Sequence, residues 1–231
     1  MARSPLGVRR FKNMNESENV RPTFQAANLE KAQARTWQVL HRLSQQLCEG
    51  MTEQDGHQEA KKLFKEFEVE KIWHPSKIRF GTNTLKSFSE NSVSDIRLKK
   101  GDPYFLDLGL VFDGHEGDCG QTFVLGENDE AEAMIRAGRE VFQEVEVHWR
   151  SHQISGRALY IFAAHASLKR GFELNLRGAS GHRIGDFPHS VHYRGALNKL
   201  ESTPTSDRWI LEIQLKHPKL LLGAFFEDLL K

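Results

Sequence analysis

An α+β domain built from two similar halves is what this sequence predicts, and three observations predict it. Helical patterns run in pairs, 28–47 with 52–67 and then 129–149 with 155–171. Each pair is followed by strand-like segments, 104–112 with 118–125 and later 209–215 with 220–230. Turn and stop signals separate the segments at Gly50, Asp113-Gly114 and Gly171. No residue-level repeat accompanies the doubling.

Residues 1–26 are expected to be a flexible lead-in, because up to about Thr23 they mix charge, Asn, Ser and Pro without period. The opening MARSPLGVRRFK is basic and acid-free. It reads as a solvated end rather than a transit peptide, since no amphipathic apolar face follows. One domain is expected over 27–231. Asn28 is the expected N-cap of the first helix, where Leu29, Ala32, Thr36, Leu40, Leu43 and Leu47 recur at helical spacing. Thr52 with Asp55 looks like a second cap, opening a helix with Ala60, Leu63, Phe64 and Phe67 on one face. A segment from Ile72 to Phe80 precedes a Ser-, Asn- and charge-rich loop at 82–102. Two strands joined at Asp113-Gly114 read as a tight hairpin. A long helix then carries Met134, Val141, Phe142 and Val145 inward, and Ser155 opens the fourth. Strands are expected at Leu174–Arg177, Trp209–Leu215 and Leu220–Leu230.

Bulk properties exclude several classes. The 231 residues, 39% of them hydrophobic, can bury one large core. Lys+Arg 32 against Asp+Glu 31 leaves no charge argument for a nucleic-acid or anionic-membrane partner. No apolar run approaches the ~18–20 residues that span a bilayer. Two cysteines, Cys48 and Cys119, are too few for a disulfide framework, which points to a reducing cytoplasm. Cys119 reads as a small buried residue.

The chemistry lies in five side chains: Asp107, Asp118, His182, Glu212 and Glu227. In 104–112 the leucines 106, 108 and 110 alternate with Asp107 and Gly109, so the acid faces away from the helices. If Asp113 and Gly114 form the turn, Asp118 lies opposite Gly109 and diagonal to Asp107. Such neighbours are ~7–8 Å apart at the backbone, close enough to share a cation, with Gly109 leaving room for metal or substrate. An ordinary solvated hairpin face is the competing reading. WILEIQL and GAFFEDLL fold back symmetrically about 219–220, which sets Glu212 against Glu227 unless Glu227 lies on a solvated edge. His182 follows a small-residue run at 178–181, and His189 comes seven residues later. Carboxylates with imidazole make a hard, oxygen-rich donor set. It suits Mn²⁺ best, with Co²⁺, Fe²⁺ or Zn²⁺ as alternatives.

The spacing of Asp107 and Asp118, followed by Thr122-Phe123 and Gly126, resembles the metal-binding hairpin of the pita-bread (M24-type) metallopeptidases. That family includes methionine aminopeptidases, Xaa-Pro aminopeptidases, prolidases and creatinase. GHRIGDFPH resembles its Gly-His-x-Ile-Gly…His segment, and WILEI and GAFFEDLL resemble its two glutamate strands. The similarity covers roughly residues 29–230. It implies a pita-bread fold, two pseudo-symmetric helix-helix-hairpin halves around a curved antiparallel sheet. It also implies two divalent metal ions and hydrolysis of the N-terminal residue of a short peptide, of Met or Xaa-Pro type, by a water held between the ions. Asp107 would chelate one metal, Asp118 and Glu227 would bridge both, and His182 and Glu212 would complete the ligand set of the second metal. Glu212 could relay a proton, and His189 would hydrogen-bond the scissile carbonyl oxygen.

The chain also departs from the family's pattern. The usual upstream histidine is missing from LKSFSEN (85–91). His74, the nearest one, does not match in position and reads as a loop or core contact beside Trp73. Cys119-Gly120-Gln121 stands where a basic residue commonly precedes the Thr-Phe pair, and Ser190 where an acid often follows the second histidine. The Glu212–Glu227 connector is short. Two other functions therefore stay open: a peptide-binding module whose catalysis has lapsed, and a creatinase-like C–N hydrolase. Oligomeric state is left open, a dimer included.

Overall fold

The protein is described here by a computed structural model covering residues 16–177 and 179–231. Helix α1 (Ala26–Gln46) starts before the expected Asn28 cap. Its capping residue is Gln25, whose side chain makes no cap bond; instead its backbone N–H donates to His115 Nε2 at 2.9 Å. A tertiary contact thus replaces the local cap. Helix α2 (Glu53–Glu66) does begin with the expected capping box, Thr52 and Asp55 satisfying each other's backbone N–H at 3.1 and 2.8 Å. The single segment expected before the loop is two short strands, β1 (Lys71–Ile72) and β2 (Lys77–Phe80).

Strands β3 (Pro103–Phe112) and β4 (His115–Val124) form the predicted hairpin. Asp113 and Gly114 both take positive φ, 49° and 67°, the type I′ geometry that matches strand twist. Helices α3 (Asp129–His152) and α4 (Gly156–Lys169) are capped by Asn128 and Ser155. Strand β5 (Glu173–Leu174) is shorter than the expected Leu174–Arg177, because the chain turns at Leu176 and Arg177. β6 (His182–Arg183), β7 (Trp209–Lys216) and β8 (Gly223–Leu229) complete the sheet.

The strand order is β1-β3-β4-β8-β7-β5, with β2 also on β3 and β6 also on β7. Each half buries its own core. Leu106, Leu108 and Leu110 pack with Leu40, Leu43 and Leu63 in the first, and Leu211, Ile213 and Leu215 with Val141, Val145 and Leu159 in the second. The two hairpins share two ladder pairs, Gly120↔Glu227 and Gln121↔Phe226, and Thr122 Oγ1 extends the junction by accepting from the Phe225 N–H at 2.6 Å and donating to its carbonyl at 3.1 Å. Beyond that junction the amide of Gln33 takes over. It bonds both backbone groups of Asp118 (2.9 and 2.5 Å) and Asp228 Oδ1 (2.7 Å), stitching α1 to both strands.

The lead-in expected over 1–26 lies outside the described residues up to position 15. From 16 onward it is tied down. Arg183, itself buried, donates to the carbonyls of Ser17, Glu18 and Asn19, and the Glu18 carboxylate accepts from Trp209 Nε1 at 2.6 Å.

Helix α1 can lie this close to β4 because position 117 has no side chain. A Cβ on Gly117 would sit 2.3 Å from Thr36 Oγ1 and 2.4 Å from the Ala32 carbonyl oxygen. The second atom is backbone and cannot swing away. Gly117→Ala is expected to lower unfolding free energy by about 1–3 kcal/mol, the usual cost of overpacking, read as a lower urea midpoint. An unchanged midpoint would show that α1 has slack here.

Candidate metal centre

The face of the sheet away from the helices carries the acids. The register places Asp107 opposite Gly120, Gly109 opposite Asp118 and Glu212 opposite Glu227, as the hairpin arithmetic requires. Asp118 and Glu227 are each 1% exposed and Asp107 is 6% exposed, which disposes of both the solvated-hairpin and the solvated-edge readings. His182, on β6, turns its Nε2 to Asp118 Oδ2 at 2.9 Å and Glu212 Oε1 at 3.7 Å. Its Nδ1–H donates to the Arg183 carbonyl at 2.8 Å, which settles the ring orientation. Glu212 Oε2 accepts from the backbone N–H groups of Ser180 and Gly181 at 2.6 and 3.0 Å.

Two residues reach the centre that the sequence reading left out. His74 reads from sequence as a loop or core contact, yet its Nε2 lies 3.1 Å from Asp118 Oδ1 and 3.4 Å from Asp107 Oδ1. Its position depends on Trp73, whose N–H bonds the Gly109 carbonyl at 3.0 Å and extends the β1–β3 pairing by one residue. A two-residue strand carries almost no sequence signal, so this histidine was not legible. Glu116 was more accessible to inference, being two residues before Asp118 and hence on the same face. It is buried and accepts from His189 twice, from Nδ1 at 2.7 Å and from the backbone N–H at 3.0 Å. The carboxylate missing at Ser190 is thus supplied from across the site. Ser87 and Phe88, where a histidine was sought, line the pocket without titrating.

The pocket is a cavity of ≈ 320 Å³ walled by Trp73, Phe88, Phe105 and Phe225, with Lys77 and Lys86 also in its lining. The ligand atoms of His74, Asp107 and Asp118 lie within 4.8 Å of one another, as do those of Asp118, His182 and Glu227. The residues present fit divalent cations. Asp107 Oδ1 and Glu227 Oε1 are buried with no hydrogen-bond partner, an arrangement whose desolvation cost a cation would offset.

Electrostatics agree. Burial lifts Asp107 to about 7, against the pull of His74, and lifts Glu212 and, well above its ordinary range, Glu227. Burial also works against ionising Asp118, but His74 and then His182 outweigh it and hold the carboxyl at about 2. The same acids overcome desolvation of the two rings, raising His74 to about 10 and His182 to about 9.

The sequence model of metallopeptidase family M24 matches residues 27–223. The chain belongs to this family. No curated protein sequence gives a significant match. Among solved structures, an X-Pro aminopeptidase from Thermotoga maritima MSB8 is similar at TM-score 0.72 and 19% identity, over 87% of this chain and 56% of that one. A methionine aminopeptidase from Thermotoga maritima is similar at TM-score 0.69 and 17% identity, over 90% of this chain and 92% of that one. A zinc-substituted E. coli aminopeptidase P in complex with product is similar at TM-score 0.71 and 16% identity, over 89% of this chain and 53% of that one. The M24 chain therefore has the pita-bread fold, and it spans little more than half the length of the first and third of these structures. No helix among its described residues is long and apolar enough to cross a membrane.

The shifted groups give the metal-free M24 protein a defined pH response. Folded Asp107 keeps its proton between its ordinary 3.8 and about 7, and His182 and His74 keep theirs from 6.5 to about 9 and about 10. Across that window the folded state binds more protons than the unfolded chain, so stability falls as pH rises. Asp118 acts oppositely only at the acid end, losing its contribution as pH falls from 3.8 toward about 2. Chelator-treated protein is expected to melt at a lower temperature at pH 9 than at pH 6. A higher melting temperature at pH 9 would contradict the assigned protonation.

Proposed function

We propose that this protein is a dinuclear metal-dependent aminopeptidase that removes the N-terminal residue of short peptides. The observation that carries the reading is the convergence of Asp107, Asp118, His182, Glu212 and Glu227 on one buried face, with two carboxylate oxygens left without a hydrogen bond. Asp107 would hold one ion, Asp118 and Glu227 would be shared between the two, and His182 and Glu212 would complete the set of the second. When bound, two divalent ions activate water and polarise the peptide carbonyl. The oxygen-rich set suits Mn²⁺, with Co²⁺, Fe²⁺ and Zn²⁺ as alternatives.

The chain's own groups do the rest. Glu212 has Oε2 fixed by two backbone N–H groups, which leaves Oε1 to take a proton from water and hand it to the departing amine. His189 has Nδ1 held by the Glu116 carboxylate, which leaves Nε2 to face the carbonyl oxygen of the bond being cleaved and to donate to it when both ring nitrogens carry protons. The aromatic walls exclude water, and Lys77 and Lys86 offer cations to the carboxylate of a short peptide of Met or Xaa-Pro type. The missing upstream histidine motivates a second reading, a binding module with lapsed catalysis, but the convergence of four buried carboxylates favours the metal-dependent enzyme over it. The unpartnered carboxylate oxygens likewise favour a metal over a creatinase-like mechanism without one. Cys48 and Cys119 are free thiols, which supports a cytoplasmic setting.

Elemental analysis should find close to two divalent ions per chain. A dipeptide and tripeptide panel with Mn²⁺, Co²⁺ and Zn²⁺ added separately should show turnover. Asp118→Ala and Glu227→Ala are each expected to cut kcat by about 100-fold or more while the circular dichroism spectrum is kept. Activity that survives complete removal of metal would sink the reading.

A further inference from the structure

We propose that His74 is itself a metal ligand, a sixth protein side chain beside Asp107, Asp118, His182, Glu212 and Glu227. The inference rests on the two-ion reading above and adds a residue that neither the motif nor its spacing supplies.

Position is the first ground. His74 Nε2 stands 3.1 Å from Asp118 Oδ1 and 3.4 Å from Asp107 Oδ1, while His182 Nε2 stands 2.9 Å from Asp118 Oδ2. The two rings thus address opposite oxygens of one bridging carboxylate. Asp107 Oδ1, the oxygen facing His74, is also one of the two buried carboxylate oxygens without a hydrogen bond.

Ring orientation is the second. A metal-bound histidine usually spends its other ring nitrogen on a carbonyl or carboxylate, which fixes the tautomer. His182 does so through Nδ1 to the Arg183 carbonyl, and His74 does so through Nδ1 to the Pro75 carbonyl at 3.2 Å. Both turn Nε2 toward the acids.

The third ground is that the backbone is built around this ring. A Cβ at Gly109 would lie 2.0 Å from His74 Cδ2 and 2.2 Å from Nε2, so the imidazole lies directly over the glycine. The room that Gly109 leaves is therefore taken by His74, not by substrate. Trp73 pins the segment from both ends, through its N–H to the Gly109 carbonyl and its Nε1–H to the Gly117 carbonyl at 3.3 Å. The His74 side chain is only 12% exposed.

One imidazole then serves each ion, His74 with Asp107 and Asp118, and His182 with Asp118 and Glu227. A second nitrogen donor moves the set toward the borderline metals Zn²⁺, Fe²⁺ and Co²⁺ and away from Mn²⁺.

Cadmium-113 NMR of full-length protein carrying ¹⁵N-labelled histidine tests this without any assay of turnover. Two cadmium resonances are expected, each split by one ¹⁵N nucleus, and His74→Gln should remove the splitting from one of them alone. Calorimetric titration should show His74→Gln weakening Zn²⁺ binding about 10–100-fold, and Mn²⁺ binding less. Two bound cadmium ions with only one split by nitrogen would overturn the assignment of His74 and leave the peptidase reading standing. Unchanged splitting in His74→Gln would overturn it as well. Failure of the wild-type protein to bind cadmium at all would overturn both. The wild-type spectrum decides the matter even if the variant does not fold.

Discussion

Four carboxylates on one buried sheet face are the constraint around which the rest of this molecule is arranged. Asp107, Asp118, Glu212 and Glu227 come from four strands and are largely withdrawn from water, so each ionised form is costly. Backbone N–H groups satisfy Glu212, and the imidazoles of His74 and His182 flank Asp118. Those partners do not suffice, since an oxygen of Asp107 and one of Glu227 remain without a hydrogen bond. Divalent cations are the species that would discharge the whole cluster together. Burial likewise favours the protonated form of Asp107, and the neighbouring acids favour protonated rings at His74 and His182.

The centre also depends on a thin seam. Asp107 and Asp118 belong to the first half, and His182, Glu212 and Glu227 to the second. Two ladder pairs and the Thr122 hydroxyl on the Phe225 backbone join β4 to β8, and Gln33 carries the connection onward by clamping the backbone of Asp118 and the side chain of Asp228. Gly117 lets α1 approach closely enough to deliver that amide. On the other side Tyr160, from α4, exchanges hydrogen bonds with the backbone of Glu212 at 3.2 and 3.3 Å. Each half thus sends a helix residue to hold the backbone of one acid, and the helix cores fix how the acids face one another. Geometry at the site is inherited from packing on the opposite side of the sheet.

Much of this was legible because it follows from local rules. A type I′ dipeptide sets hairpin register, and register with period two puts Asp118 opposite Gly109 without reference to the rest of the chain. The same arithmetic pairs Glu212 with Glu227. Thr52 and Asp55 cap α2 through atoms three residues apart. The start of α1 escaped notice because its first bond is made to His115, ninety positions away in sequence. Segment 16–20 reads as polar and aperiodic, yet it is ordered by Arg183 and by Trp209, both from the far end of the chain.

By itself, then, the order of residues determined the buried faces of the helices, the two hairpins and their registers, which set Asp107 beside Asp118 and Glu212 against Glu227, since all of these arise from neighbours along the chain. Tertiary structure alone decided that His74 crosses over Gly109 to join them and that Glu116 takes up His189. It also decided that the two hairpins abut so that the acids become one cluster. Those outcomes turn on contacts between segments far apart in sequence, made through short strands and single side chains, where no period or spacing records which partner will be met.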